Sequence, residues 1–190
     1  EKDSGKWFEQ LGEWSIALSI YEKEAKEEEK KKENSSERDA ALIRCYGHLE
    51  HWETISSTFV PLFDKKFDLN EKNETAVWFA WAFYHLRDFE QVKHYAEFFS
   101  PKDIKQQIFI ILYFISSGEL EKAGPYIEKS FEILAESRGA FNGSDTGLAT
   151  KILVSAQHLI ELKEALKVKK KNISIENESS LNAVPRMWKR

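Results

Sequence analysis

The stretch "YGHLEHW" holds His48 and His51 three residues apart, a spacing that puts two imidazoles on one face of a helix and within reach of one metal ion. A third ligand is missing, and the pair straddles a predicted corner, so both are expected in ordinary polar roles. His85 and His94 offer no better set. Cys45 lies in "ALIRCYGHL" at apolar helical spacing, the place of a small buried hydrophobe rather than of a nucleophile. As the single cysteine it rules out an intramolecular disulfide and suits a reducing compartment. Phosphate-cradling glycine loops, the H-E-x-x-H metal helix and C-x-x-C pairs are all missing, and a carboxylate pair in a 32% charged sequence is usually a solvated face. No catalytic, cofactor-binding or metal-binding residue is assigned.

Two clusters remain. Trp78, Phe79, Trp81, Phe83 and Tyr84 have the ring content of a stacking platform, but their steps fit the inner wall of one helix and no basic residue interrupts them before Arg87; core packing is the expectation. Lys167, Lys169, Lys170 and Lys171, with Arg186, Lys189 and Arg190 further on, could contact a polyanion if the tail folds back, against the plainer reading of a solvated run. The whole chain offers no positive field to help: 28 Lys and Arg face 32 Asp and Glu, a formal charge of -4, which argues against nucleic acid as a partner.

Its 190 residues, 42% hydrophobic, can bury one substantial core. The longest apolar run, Ile108 to Ile115, is far below the roughly 20 residues that cross a bilayer, so membrane insertion is not expected and the cytoplasm is. An opening of "EKDSGKWFEQ" reads as cut from something longer. Five N-x-S/T sequons, at Asn34, Asn73, Asn142, Asn172 and Asn177, fit chance in a chain rich in Asn and Ser.

What would position any site is a recurring corner. "LGEWSIA" at Leu11 returns as "LEHWETI" at Leu49, "LRDFEQV" at Leu86, "SGELEKA" at Ser117 and "LIELKEA" at Leu159. The fourth place holds a large apolar residue, Trp14, Trp52, Phe89, Leu120 and Leu162, and a smaller one follows three later. The gaps of 38, 37, 31 and 42 residues, with helical periodicity on both sides and no strand signal, predict an all-α right-handed superhelix of TPR- or HEAT-like hairpins with about five corners. The large residues are expected to fill the wedge between helix axes.

Local signals refine this. Ser36 to Asp39 reads as a capping box and Ser100-Pro101 as a helix start with Ser as cap. Pro61 and Gly124-Pro125 fall inside helices and predict kinks or early ends. The charged block Lys23 to Asn34 prolongs the first long helix before fraying, Arg138 to Gly147 is a loop, and the helical array spans 1–171, with 172–190 a flexible linker opening a further segment.

The ordered corners "KWFEQLGEWSIALSIYEKEA", "ALIRCYGHLEHWETI", "AVWFAWAFYHLRDFEQVKHYAEFF" and "LEKAGPYIEKSFEILAES" resemble the FAT domain of the phosphatidylinositol-3-kinase-related kinases, and within them the target-of-rapamycin (TOR) branch, from residue 6 to about 170. Lys6, Trp7, Leu11, Trp14, Ala17, Leu18 and Tyr21 stand in the first corner of that pattern. Arg44, Cys45, Leu49 and Trp52 stand in the second, and Ala80, Trp81, Ala82, Leu86 and Phe89 in the next. The resemblance implies a non-catalytic scaffold of a serine/threonine protein kinase, packed against the kinase domain of the same chain, regulating it and meeting TOR-complex-type subunits, at times at the cytosolic face of an endomembrane. It also implies an inositol polyphosphate ligand, whose residues do not align here. The alternative is a free-standing TPR-like adaptor that binds peptides, although such a groove favours Asn, Lys and Arg where these helices carry Trp78, Trp81 and Ile108 to Ile115. An enzyme with an unrecognised all-helical site is a third reading.

Overall fold

The computed structural model describes residues 4–31, 35–139 and 146–187, with side chains described as far as 174. Every element among them is helical, and the chain divides into two compact units, Glu1–Ser100 and Pro101–Arg190.

The first unit opens with α1 (Ser4–Gln10) and α2 (Trp14–Lys31), then α3 (Ser36–His48). A short α4 (Trp52–Thr54) passes through a π-helical turn (Ile55–Phe59) into α5 (Val60–Lys66), and α6 (Leu69–His85) and α7 (Phe89–Ala96) complete it. α3 packs on both α2 and α6, which places Ile43 and Cys45 at zero exposure. Beside them Phe63 meets the edges of Phe79, Tyr95 and Phe98 at 5.0–5.1 Å, and Phe79 stacks on Tyr95 at 4.9 Å. Burial of this kind supplies roughly 25 cal/mol per Å² of apolar surface, so the ring cluster is the unit's main source of stability.

Charged side chains pin helices to one another around that core. Glu9 of α1 accepts from the Tyr21 hydroxyl at 2.5 Å and from both Nε and Nη2 of Arg44 at 3.0 and 3.1 Å. Glu71 completes a capping box with Asp68 and also accepts from the Ser36 hydroxyl at 2.5 Å, which ties the starts of α3 and α6. Burial pushes the Cys45 thiol up to about 12, so it is an inert packing group, as its spacing suggested.

The second unit holds α8 (Ile104–Ser117), α9 (Leu120–Gly139) and α10 (Thr146–Met187), each packed on the other two. Ile111, Leu120, Ala123, Ile127, Leu134, Leu159 and Leu166 form its core.

Several expectations change. The fifth corner does not form: α10 runs unbroken through Leu159 and Leu162, with Leu159 fully buried and Leu162 half-buried on a helix flank. Four corners remain, at residues 11–13, 49–51, 86–88 and 118–119. The segment from 172, expected as a linker, is helix to Met187; no glycine follows Gly147, and extending an existing helix costs far less than starting one. Ser35, one residue before the expected cap, closes α3 by accepting from the Arg38 N–H. Asp103, not Ser100, caps α8, taking the N–H groups of Lys105 and Gln106 at 2.9 and 3.3 Å. A carboxylate adds charge attraction to the helix N-terminus that a hydroxyl lacks.

The prolines behave differently from each other. The π-helical turn ends two residues before Pro61, which then occupies the first turn of α5, so the expected disruption takes the form of one widened turn. Pro125 lies inside α9 without ending it. The residue before it is Gly124, which has no Cβ for the pyrrolidine ring to strike. α2 reaches Lys31 as expected; 32–34 and most of the expected loop, 140–145, lie outside the described residues.

Candidate functional site

The corners are the chain's repeated chemical feature, and all four share one device. The second residue of each motif, Gly12, Glu50, Arg87 and Gly118, has positive φ, of 76°, 60°, 63° and 84°. In each, the next N–H reaches back across the turn, Glu13 to Phe8, His51 to Tyr46, Asp88 to Phe83 and Glu119 to Phe114, at 2.9–3.0 Å. This six-to-one bond satisfies a carbonyl at the helix end and reverses the chain within three residues. Two of the four use a side-chain-bearing residue where glycine is favoured, at roughly 1–2 kcal/mol of backbone strain each.

The residues around the corners sort differently from the wedge expectation. The smaller residue three places later is the fully buried one: Ala17, Ile55, Val92 and Ala123 all have zero exposure. Leu120 is buried as well, but Trp14, Trp52 and Phe89 are only half-buried. The indoles lie flat against histidines that end the following first helices. Trp14 stacks on His48 with centroids 3.6 Å apart and planes within 11°, and Trp52 stacks on His85 at 4.8 Å and 5°. A second indole closes on each imidazole, Trp78 at 4.8 Å from His48 and Trp81 at 5.8 Å from His85. Gly47 makes room for one of these: a Cβ there would fall 2.2 Å from the Trp78 ring. Each corner Trp is thus a partly buried clasp onto the next hairpin.

The stacking role of His48 and His85 escaped the sequence reading, yet a signal was present. His-Leu-x-x-aromatic occurs at His48 and again at His85, 37 residues on. The aromatic cluster on α6 splits by face. Phe79 is fully buried, while Trp78, Trp81, Phe83 and Tyr84 are half-buried around it, Phe83 stacking on Tyr95 at 5.6 Å. No group of three or more metal-ligating side chains gathers among the described residues.

Of the basic run, the four lysines of α10 have described side chains, and three of them are engaged within the chain. Lys167 pairs with Glu164 at 2.7 Å and Lys170 with Glu121 at 2.9 Å. Lys169 donates to the Ile115 carbonyl at 2.7 Å, a cation at the C-terminal end of α8 where the helix dipole favours one. Lys171 is exposed, the Arg186 side chain lies outside the described part of α10, and Lys189 and Arg190 lie outside the described residues.

One open cleft of about 730 Å³ lies in the first unit between α2, α3 and α5. Its floor is Leu42 and Phe59, both buried, with Tyr46 alongside. Glu22, Lys26, Glu28 and Glu29 of α2 form one wall, and Thr58, Leu62 and Lys66 the other. The Tyr46 hydroxyl donates to Glu22 at 2.7 Å; burial first, and that carboxylate second, push its pKa up to about 12. Neither the cleft nor its widened π-helical edge was legible in the sequence.

The described residues form helical hairpins whose corners are closed by positive-φ turns. The FAT domain family matches residues 73–190, more than half of the chain, and the chain belongs to that family. Serine/threonine-protein kinase tor1 of Schizosaccharomyces pombe is 25% identical over 187 residues, 97% of this chain and 8% of that protein. Serine/threonine-protein kinase mTor of Drosophila melanogaster is 25% identical over 168 residues, 87% of this chain and 6% of that one. The chain therefore spans less than a tenth of the length of these relatives. The family match also runs through the segment expected to be a linker.

Proposed function

We propose that the chain is a non-catalytic FAT scaffold segment of a TOR-like serine/threonine protein kinase, which packs against the kinase domain of the same polypeptide, regulates it and carries contacts to TOR-complex-type subunits in the cytoplasm. The observation that carries this reading is the 25% identity running through 97% of the chain to one such kinase, across all four corners. The use of polar groups supports it. Glu9, Arg44, Glu71 and Asp103 close helix ends or tie helices, and none is gathered into a reactive centre. Among the described residues no helix is long and apolar enough to cross a membrane.

Reading the coding sequence downstream tests the proposal. His-Arg-Asp and Asp-Phe-Gly kinase elements are expected there; a stop codon soon after Arg190 would favour the free-standing adaptor instead. An inositol polyphosphate belongs to this reading only at the α10 lysines, where it has to displace Glu164 and Glu121 from Lys167 and Lys170. Calorimetry of the 190-residue chain with inositol hexakisphosphate decides it: heat lost on changing Lys167, Lys170 and Lys171 to Gln supports the ligand, and no heat from the unchanged chain removes it.

A further inference from the structure

We propose that the cleft between α2, α3 and α5 docks an amphipathic helix that presents an apolar stripe to the floor and Lys or Arg to α2. This extends the scaffold reading to a partner chemistry and fails separately from it, because an empty cleft leaves the family membership untouched.

Shape is the first argument. Two helical walls and a floor made by a third leave a trough with Leu42 and Phe59 at its base and the half-buried Leu62 on one wall, a shape into which one apolar helix face fits at i, i+3 or i+4 and i+7. About 730 Å³ falls within the usual range of ligand sites and is open along one side, as a helix requires. The π-helical turn is the second argument. It widens one wall where Thr58 meets the trough, and Phe59, the last residue of that turn, is buried under the floor 6.0 Å from the Tyr46 ring. Such turns sacrifice regular backbone bonding and are common beside binding sites.

Charge selects the partner. Arg38 on the floor is held by Glu24 at 2.5 Å and Glu28 at 3.3 Å, and Lys66 is held by Asp39. Along the α2 wall, Glu22, which accepts from the Tyr46 hydroxyl, and the exposed Glu29 then stand beside Lys26. Four carboxylates of the lining, Glu22, Glu28, Glu29 and Asp39, thus meet three cations, Lys26, Arg38 and Lys66, around one trough. An incoming Lys or Arg gains attraction at the α2 wall, and an incoming Glu meets repulsion.

Fluorescence anisotropy on the 190-residue chain tests this with three labelled 18-residue peptides: one with Leu at i, i+4, i+7 and i+11 flanked by Lys, the same with Glu for Lys, and the Lys peptide with its Leu order scrambled. The first is expected to bind with a Kd of about 10–100 µM and the others at least about tenfold more weakly. Glu29→Lys should weaken the first peptide about fivefold and Lys26→Glu should tighten it, both positions being exposed and remote from the core, while Glu90→Lys on α7 should change nothing. Equal binding of the ordered and scrambled peptides means charge attraction without a groove and overturns the proposal. So do equal binding of the Lys and Glu peptides, no saturation by about 1 mM, or affinity indifferent to residues 26 and 29.

Discussion

The two units use the same motif and obtain different results from it. In the first, three successive corners each turn at a left-handed residue and each reverses the chain. In the second, one corner turns at Gly118, and the next copy of the motif is read straight through as part of a 42-residue helix. The large apolar residue is present in both cases, so it does not make the corner. The residue two places earlier decides: Gly, Glu, Arg and Gly accept positive φ, whereas the fifth copy offers Ile160, whose branched Cβ is disfavoured there. The units also differ in how the motif's large residue is used. Leu120 goes into the core, while Trp14 and Trp52 stay at the surface as clasps on imidazoles.

The largest expected effect probes how separate the units are. Phe79→Ala, at a fully buried ring touching Phe63 and Tyr95, should cost about 3–5 kcal/mol. Hydrogen exchange should then show α6 and α7 losing protection while α10 keeps its own; Leu159→Ala, at about 2–4 kcal/mol, should give the reverse pattern. Simultaneous loss in both units from either change would erase the division.

Next come the clasps. Trp52→Ala should cost about 2–3 kcal/mol in chemical denaturation, less than a core ring because the indole is only partly buried, and a double-mutant cycle with His85→Ala should return a coupling of about 0.5–1.5 kcal/mol. Zero coupling would reduce the stack to mere proximity.

The turn residues should respond with opposite signs. Glu50→Gly and Arg87→Gly are each expected to raise stability by about 0.5–1 kcal/mol by relieving positive φ. Ile160→Gly should lower it by about 1 kcal/mol, since glycine there only weakens a continuous helix. Stabilisation at 160 would mean that a fifth corner forms after all.

A further effect appears only at alkaline pH and belongs to the first unit. Burial raises Tyr46 and Tyr95 to about 12 in the folded chain against 10.0 unfolded. The unfolded chain releases these protons first, so the contribution is whole below pH 10 and is lost as pH rises from 10 to about 12. Tyr46→Phe should flatten that limb of a stability-versus-pH curve.

The period of apolar residues and the ordered corners were enough to read helices, hairpins and family from the chain alone, while both expected caps fell on the wrong residue. The period and the corner are local features: both act within one or two turns of backbone, so they are written where they operate. Which of two adjacent serines caps α3 while the other meets Glu71, and whether Trp14 sinks into the core or lies on His48, depended on residues 30 or more positions away. The trough beside α3 was set the same way, because its walls are distant segments whose separation no local pattern encodes. Packing free energy is earned between elements, and only their assembly fixes which side chains meet.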